Sequence, residues 1–216
     1  MADKLGILFC ASEVVPFVKT GGLADVAGAL PQYIKKEDCD IRVICPKYGT
    51  IADEYKDKME HIDNCSLRIG WRDQYCGFET LSLNGIKYYF VDNEYYFYRN
   101  SPYGFFDDGE RMAFFSMACV EAIRHIPNFK CDILHCNDWH TSLAPVFLRE
   151  FYREEPGYDS VRTIMTVHNL KFQGQYSDTM LTDVLSLSDI PAAREQLTYD
   201  GQSINFMQGG LSYADA

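Results

Sequence analysis

The sequence predicts an α/β fold: a Rossmann-like, doubly wound, mostly parallel sheet carrying an antiparallel hairpin insertion. Three observations predict it. Short apolar runs of strand length recur at Lys4 to Cys10, Asp40 to Cys45, Asp132 to Cys136 and Arg162 to Val167. Segments of helical periodicity separate most of them. The middle of the chain, Ser66 to Val91, is rich in strand formers around Asn84-Gly85. That pair suits the positive φ angles of a type I′ hairpin turn.

Taken in order, the first run (KLGILFC) lacks polar alternation, the pattern of a strand buried on both faces. A loop with Pro16 and Gly21-Gly22 leads into a helix whose apolar stripe is Leu23, Val26, Ala27, Leu30 and Ile34. Pro31 lies inside that stripe and is expected to kink or end the helix. The second strand (DIRVIC) is stopped by Pro46. Ser66 to Val91 reads as an antiparallel insertion or a sheet extension. Gly109 to Ile126 returns to helical spacing through Met112, Phe115, Ser116, Cys119, Ala122 and Ile123. A strand (Asp132 to Cys136), a helix (Thr141 to Phe151), a strand (Arg162 to Val167) and helical patterns from Thr179 and from Ile204 complete the chain. There is no repeat or linker, so residues 1–216 read as one domain. The apolar helical pattern near Leu211 runs to Ala216 without a polar tail, which reads as a chain cut from a longer one.

Composition narrows the function. With 47% hydrophobic residues among 216, the chain can bury one large core, or a core with an appendage. No stretch approaches the roughly 20 apolar residues of a membrane helix. Early charges at Asp3 and Lys4, and no small-residue cleavage site, exclude a signal peptide and predict a cytoplasmic protein. Net charge −11 argues against nucleic acid or an anionic membrane as partner. None of the eight cysteines forms a Cys-x-x-Cys pair. They read as buried reduced thiols, with no metal site and no cofactor expected.

Three candidate sites each follow a predicted parallel strand, where open α/β sheets bind ligands. In Lys19-Thr20-Gly21-Gly22-Leu23, glycines let a ligand approach the backbone, a helix N-terminus offers free N–H groups, and Lys19 adds a charge. The alternative is a plain Gly-Gly helix entry with an exposed lysine. In His135-Cys136-Asn137-Asp138-Trp139-His140, Asp138 and His140 could bind a sugar hydroxyl, or His135, Asp138 and His140 could ligate a metal. Strand alternation, pointing His135 away, weakens the metal reading. Helix capping by Asp138 or Thr141 is the structural alternative. In Thr166-Val167-His168-Asn169-Leu170, His168 reads as functional or as a satisfied, partly buried histidine.

These motifs, in this order, resemble a known family. KTGGLADVAGALP (Lys19 to Pro31), Arg111 within Asp-Asp-Gly-Glu-Arg-Met, HCNDWHTSLAPVFL (His135 to Leu148), TVHNLKFQG (Thr166 to Gly174) and the Ile204 to Asp215 segment are similar to bacterial glycogen synthases and plant starch synthases over essentially the whole chain. The resemblance implies the N-terminal domain of a two-domain GT-B glycosyltransferase. Such an enzyme passes glucose from ADP-glucose to the non-reducing end of an α-1,4-glucan with retention; a relative using UDP-glucose, or a non-catalytic sugar-nucleotide or glucan-binding module, is the alternative. It implies that Lys19, Gly21 and Gly22 contact the diphosphate, with Asp25 in the same loop. Asp138 and His168 would line the glucosyl pocket, with Asn169 and Gln173 close by. A C-terminal nucleotide-binding domain, absent from this chain, would add an arginine, a lysine and a glutamate across the cleft. This chain alone is therefore expected to be inactive. The sequence departs from the family at Asn137 (often His), Lys171-Phe172 (commonly Ala-Tyr), Asp108-Gly109 (more usually Asn-Ala) and Met112 (Phe). None of these is expected to touch the assigned residues, although Lys171 could alter acceptor contacts.

Overall fold

The computed structural model describes residues 4–34 and 39–216. Strand β1 (Leu5–Cys10) is followed by helix α1 (Gly22–Ile34) and strand β2 (Cys39–Pro46), parallel to β1. A short turn of helix, α2 (Asp53–Lys56), precedes β3 (Glu60–Ile69), β4 (Arg72–Leu83) and β5 (Ile86–Asp92). Helices α3 (Glu94–Phe97) and α4 (Asp108–His125) lead to β6 (Ile133–Asn137). Helix α5 (Leu143–Phe147) widens into a π-helical turn (Leu148–Tyr152) before β7 (Arg162–Thr166). The chain ends in β8 (Gln175–Ser177), α6 (Met180–Asp183), α7 (Pro191–Leu197), β9 (Ser203–Asn205) and α8 (Phe206–Tyr213).

Seven strands form one sheet in the order β3-β4-β5-β2-β1-β6-β7, and β8 pairs with β9 apart from it. The five strands β5, β2, β1, β6 and β7 run parallel; β4 alone opposes its neighbours. The expected sheet extension is thus built by β3 and β4, while β5 belongs to the parallel core. Asn84 (φ 51°) and Gly85 (φ 76°) turn β4 into β5 with two positive φ angles, as the Asn-Gly pair predicts. β1 has a parallel neighbour on each side and is buried from Gly6 onward, the state of a central strand in a sheet covered on both faces. α4 is buried over most of its length, with Met112, Phe114, Phe115 and Cys119 fully enclosed.

Three element boundaries differ from expectation. Pro31 does not end α1, which runs three residues further with Pro31 buried inside it. The helix expected from Thr141 begins at Leu143, because the Thr141 hydroxyl bonds back to the Asn137 carbonyl at 2.9 Å and accepts its N–H at 2.6 Å. That local bond offers the backbone a turn in place of helix. The helical pattern from Ile204 starts instead at Phe206. Ile204 pairs with Tyr176 in the β8–β9 ladder, and the Asn205 side chain caps α8 by accepting the Gln208 N–H at 3.0 Å.

Candidate active-site cleft

Chain order runs from β1 outward to β2, then returns to β6 on the other side of β1. This reversal is the switch point at which open α/β sheets leave a crevice beyond their strand ends. A cleft of about 780 Å³ opens there, lined by residues following β1, β6 and β7. Thr20, Gly21, Gly22, Asp138, His140, His168 and Asn169 all face it, so the three sequence motifs converge.

The loop after β1 is organised by a residue the sequence reading did not assign. Glu13 is buried, and its carboxylate accepts the Thr20 N–H, the Thr20 hydroxyl at 3.0 Å and the Gly21 N–H at 3.1 Å. Of the two glycine amides expected to serve a phosphate, that of Gly21 is therefore already used. The next donors are those of the first turn of α1, from Gly22 onward, which have no intrahelical acceptor. A Cβ placed on Gly22 would meet nothing within 4 Å, and its φ is not in the left-handed region. Neither backbone conformation nor packing requires glycine here; what it provides is open access to the helix N-terminus. Gly28 is the opposite case, since a Cβ there would lie 2.3 Å from Val15 Cγ2.

Lys19 does not line the cleft. Its ammonium pairs with Asp25 Oδ1 at 2.8 Å on the surface, both side chains more than half exposed. Gln173 is also outside it: its amide nitrogen donates to the Leu170 carbonyl at 2.9 Å, and its oxygen accepts from Asn205 at 2.7 Å. It ties the loop after β7 to the cap of α8.

Asp138 sits in the left-handed region (φ 57°), which costs a non-glycine residue about 1–3 kcal/mol and concentrates at functional sites. Its backbone N–H donates to the Thr166 carbonyl at 2.9 Å. Its carboxylate caps no helix; Oδ1 accepts the backbone N–H of His168 at 2.7 Å and of Asn169 at 3.3 Å. The ends of β6 and β7 are thereby locked together, with the Asp138 carboxylate buried at the cleft wall.

His168 is held from its ring as well. Its Nε2 lies 2.9 Å from Asn137 Oδ1, and the Asn137 amide nitrogen donates to the Cys10 carbonyl at 3.0 Å. Because that nitrogen is already a donor, Oδ1 is the acceptor and His168 carries its proton on Nε2. Nδ1 is the ring nitrogen left for a ligand. This corrects the expectation that the departures from the family pattern touch no assigned residue: Asn137 orients His168, and Asp108 and Phe172 line the cleft. Asp108 is neutralised by the fully buried Arg111 at 2.5 Å, whose Nε also donates to the Tyr96 carbonyl at 2.7 Å.

His140 and His135 divide in environment. His140 is enclosed between Tyr103 and Trp139, with ring centroids 4.7 and 4.3 Å away, and burial pushes its pKa down to about 3. Its Nδ1 has no hydrogen-bond partner and it borders the cleft, so it stands there as a neutral imidazole. His135 points elsewhere, its Nε2 2.8 Å from Thr166 Oγ1. Burial, then repulsion from His168, lowers its pKa to about 4. His135, Asp138 and His140 do not gather into a metal-binding group among the described residues.

Glu13, Tyr103, Trp139, Asp108 and Phe172 are cleft residues that the sequence reading did not assign. Glu13 had a legible signal, because an acid inside the apolar run FCASEVVPF must find donors if it is buried. The described lining residues include no lysine or arginine.

Comparison with known proteins identifies the family. The starch synthase catalytic domain family matches residues 6–216. The chain belongs to that family. A glycogen synthase of Clostridium novyi (strain NT) is 48% identical over 212 residues, covering 98% of this chain and 44% of the relative. A glycogen synthase of Anoxybacillus flavithermus is 50% identical over 205 residues, covering 95% and 42%. The fold matches the catalytic domain of starch synthase IV from Arabidopsis thaliana, solved bound to ADP and acarbose. Its TM-score is 0.85 at 24% identity, over 98% of this chain and 44% of that one. The chain thus spans less than half the length of the relatives it matches.

Proposed function

We propose that this chain forms one wall of the active cleft of a retaining glucosyltransferase that extends an α-1,4-glucan from ADP-glucose, acting in the cytoplasm. The observation that carries the reading is the convergence of an open helix N-terminus at Gly22 with Asp138 and His168 at one sheet switch point. Family membership and the glycogen synthase relatives supply the reaction class. The ADP in the starch synthase IV structure favours ADP-glucose over UDP-glucose.

Glucosyl transfer develops positive charge on the ring and negative charge on the leaving diphosphate. The α1 N-terminus offers N–H donors and a positive dipole end to that diphosphate. Lys19 reaches it by exchanging Asp25 for phosphate, a cheap exchange because an exposed ion pair is worth about 0–1 kcal/mol. Asp138 and His168 hold the sugar in this reading, which is supported by the two amides that fix Asp138 Oδ1 and by the Asn137 contact that orients the His168 ring. The cations absent from this wall would come from the remaining length of the relatives.

The test uses a polypeptide spanning both halves, assayed with ADP-glucose and UDP-glucose on a glucan primer. Faster turnover of ADP-glucose, and a roughly tenfold or greater fall in kcat/KM for Lys19→Ala with unchanged circular dichroism, is the expected result. No transfer from either donor would reject the reading; an unchanged kcat/KM would remove Lys19 from the site.

A further inference from the structure

We propose that Cys65, Glu121 and His125 bind a divalent transition metal, best fitted by zinc, where α4 packs on the antiparallel edge of the sheet. These residues lie outside the cleft, and the sequence reading expected no metal site. Three features of the geometry carry the proposal.

The first is the ligand set. Glu121 and His125 are four residues apart on α4 and so project from one face, toward β3, which supplies Cys65. One donor atom from each lies within 4.8 Å of the others. Among the described residues, no other trio of cysteine, histidine or acidic side chains does so. A tetrahedral zinc with ordinary bond lengths sets such atoms roughly 3.3–3.6 Å apart. His125 Nε2 already stands 3.1 Å from Glu121 Oε1; closure then requires Cys65 Sγ to move in from within 4.8 Å and the ion to replace Arg124 Nε, 3.2 Å from the same oxygen. Thiolate, imidazole and carboxylate together are a zinc-type set, and three protein ligands leave a fourth position for water.

The second is the support behind the ligands. With Nε2 turned to the trio, His125 Nδ1 meets Asp63 Oδ2 at 2.7 Å. This is the carboxylate–histidine arrangement that fixes the tautomer and orientation of metal-bound imidazoles. The ring also stacks on Phe78 at 5.0 Å. Cys76 faces Cys65 across the β3–β4 pair, so the Cys65 side chain stands on the well-paired part of the sheet.

The third is placement. His125 is the last residue of α4, where the helix dipole favours a cation. The side chains of Glu121 and His125 keep 12% and 13% exposure, enough for entry from solvent while most water is excluded.

The full polypeptide is stripped with a chelator and titrated with Co²⁺. One equivalent should bind per chain, with the thiolate-to-cobalt charge-transfer band and intense visible bands of a tetrahedral site, and Zn²⁺ should displace it. Cys65→Ser should abolish the charge-transfer band and His125→Ala should abolish tight binding. Asp63→Asn, leaving all three ligands in place, should weaken binding about 10- to 100-fold. Independently of any variant, Zn²⁺ should slow alkylation of Cys65 in the wild-type protein, read by mass spectrometry. Absence of a thiolate–cobalt band, a band that survives Cys65→Ser, or equal alkylation with and without Zn²⁺ would overturn the proposal and leave the trio as an ion-pair network around His125.

Discussion

At the residue scale, the most consequential contact is one between a strand-end amide and a histidine. Asn137 donates to the Cys10 carbonyl and accepts from His168, so it couples the ends of β1 and β6 to the ring facing the cleft. Asn137→Ala removes both bonds. It should destabilise the fold by about 1–3 kcal/mol, since it strands a buried carbonyl. In the two-half polypeptide it should also lower kcat/KM roughly tenfold, the worth of one hydrogen bond. Denaturant midpoints and steady-state kinetics measure the two effects separately. The buried histidines give a pH dependence of definite sign. His140 and His135 move from an ordinary 6.5 to about 3 and about 4 on folding, so the unfolded chain binds more protons below 6.5. Their stabilisation is complete above pH 6.5 and is lost as pH falls toward the folded values. The thermal midpoint should drop between pH 6.5 and 4. His140→Phe, which replaces an unpartnered imidazole by a ring of similar shape, should flatten that drop; an identical profile would show that His140 does not contribute to it.

At the element scale, α1 carries two glycines with opposite tasks. Gly22 opens the helix N-terminus to the cleft, whereas Gly28 lets the helix pass against Val15. Gly22→Ala should leave stability unchanged or raise it by about 0.4–1 kcal/mol through the unfolded chain. The same change should weaken donor-substrate use. Gly28→Ala should cost about 1–3 kcal/mol by overpacking, with the site chemistry affected only through folding. Thermal melts beside donor KM values separate the pair, and a stable Gly28→Ala protein would contradict the contact. Both glycines were visible in the sequence. Which one serves a ligand and which one serves packing was not, because that depends on whether Val15 or open space stands over the Cα. Similarly, Ile204 fitted a helical stripe until Tyr176 paired with it, since a three-residue strand leaves too short a period to read.

At the scale of the whole molecule, the cleft is acidic and short of cations. Glu13, Asp108 and Asp138 line it; Glu13 is occupied by loop donors and Asp108 by Arg111. A diphosphate there would meet helix N–H groups and the neutral His140 imidazole, with Lys19 outside the lining. The 216 residues alone should therefore transfer no glucose. Incubation with labelled ADP-glucose and glycogen, followed by precipitation of the polymer, checks this; incorporation by the 216 residues alone would mean that this wall suffices.

The sequence by itself determined four of the five parallel core strands, the Asn84-Gly85 hairpin and the three strand-end motifs, while β5 joined the core only through its pairing with β2. Each of these rests on local chemistry: apolar runs for buried strands, positive φ at a tight turn, and polar residues where a strand must stop. Tertiary structure alone decided how those motifs divide their work. It assigned two loop amides to Glu13, placed Lys19 on Asp25 at the rim, turned Gln173 toward Asn205 and brought Asn137 onto His168. These choices depend on distances between segments remote in the chain, which packing sets and residue order does not encode locally. The same reason hid Cys65, Glu121 and His125, which look unrelated in sequence until α4 is laid on β3.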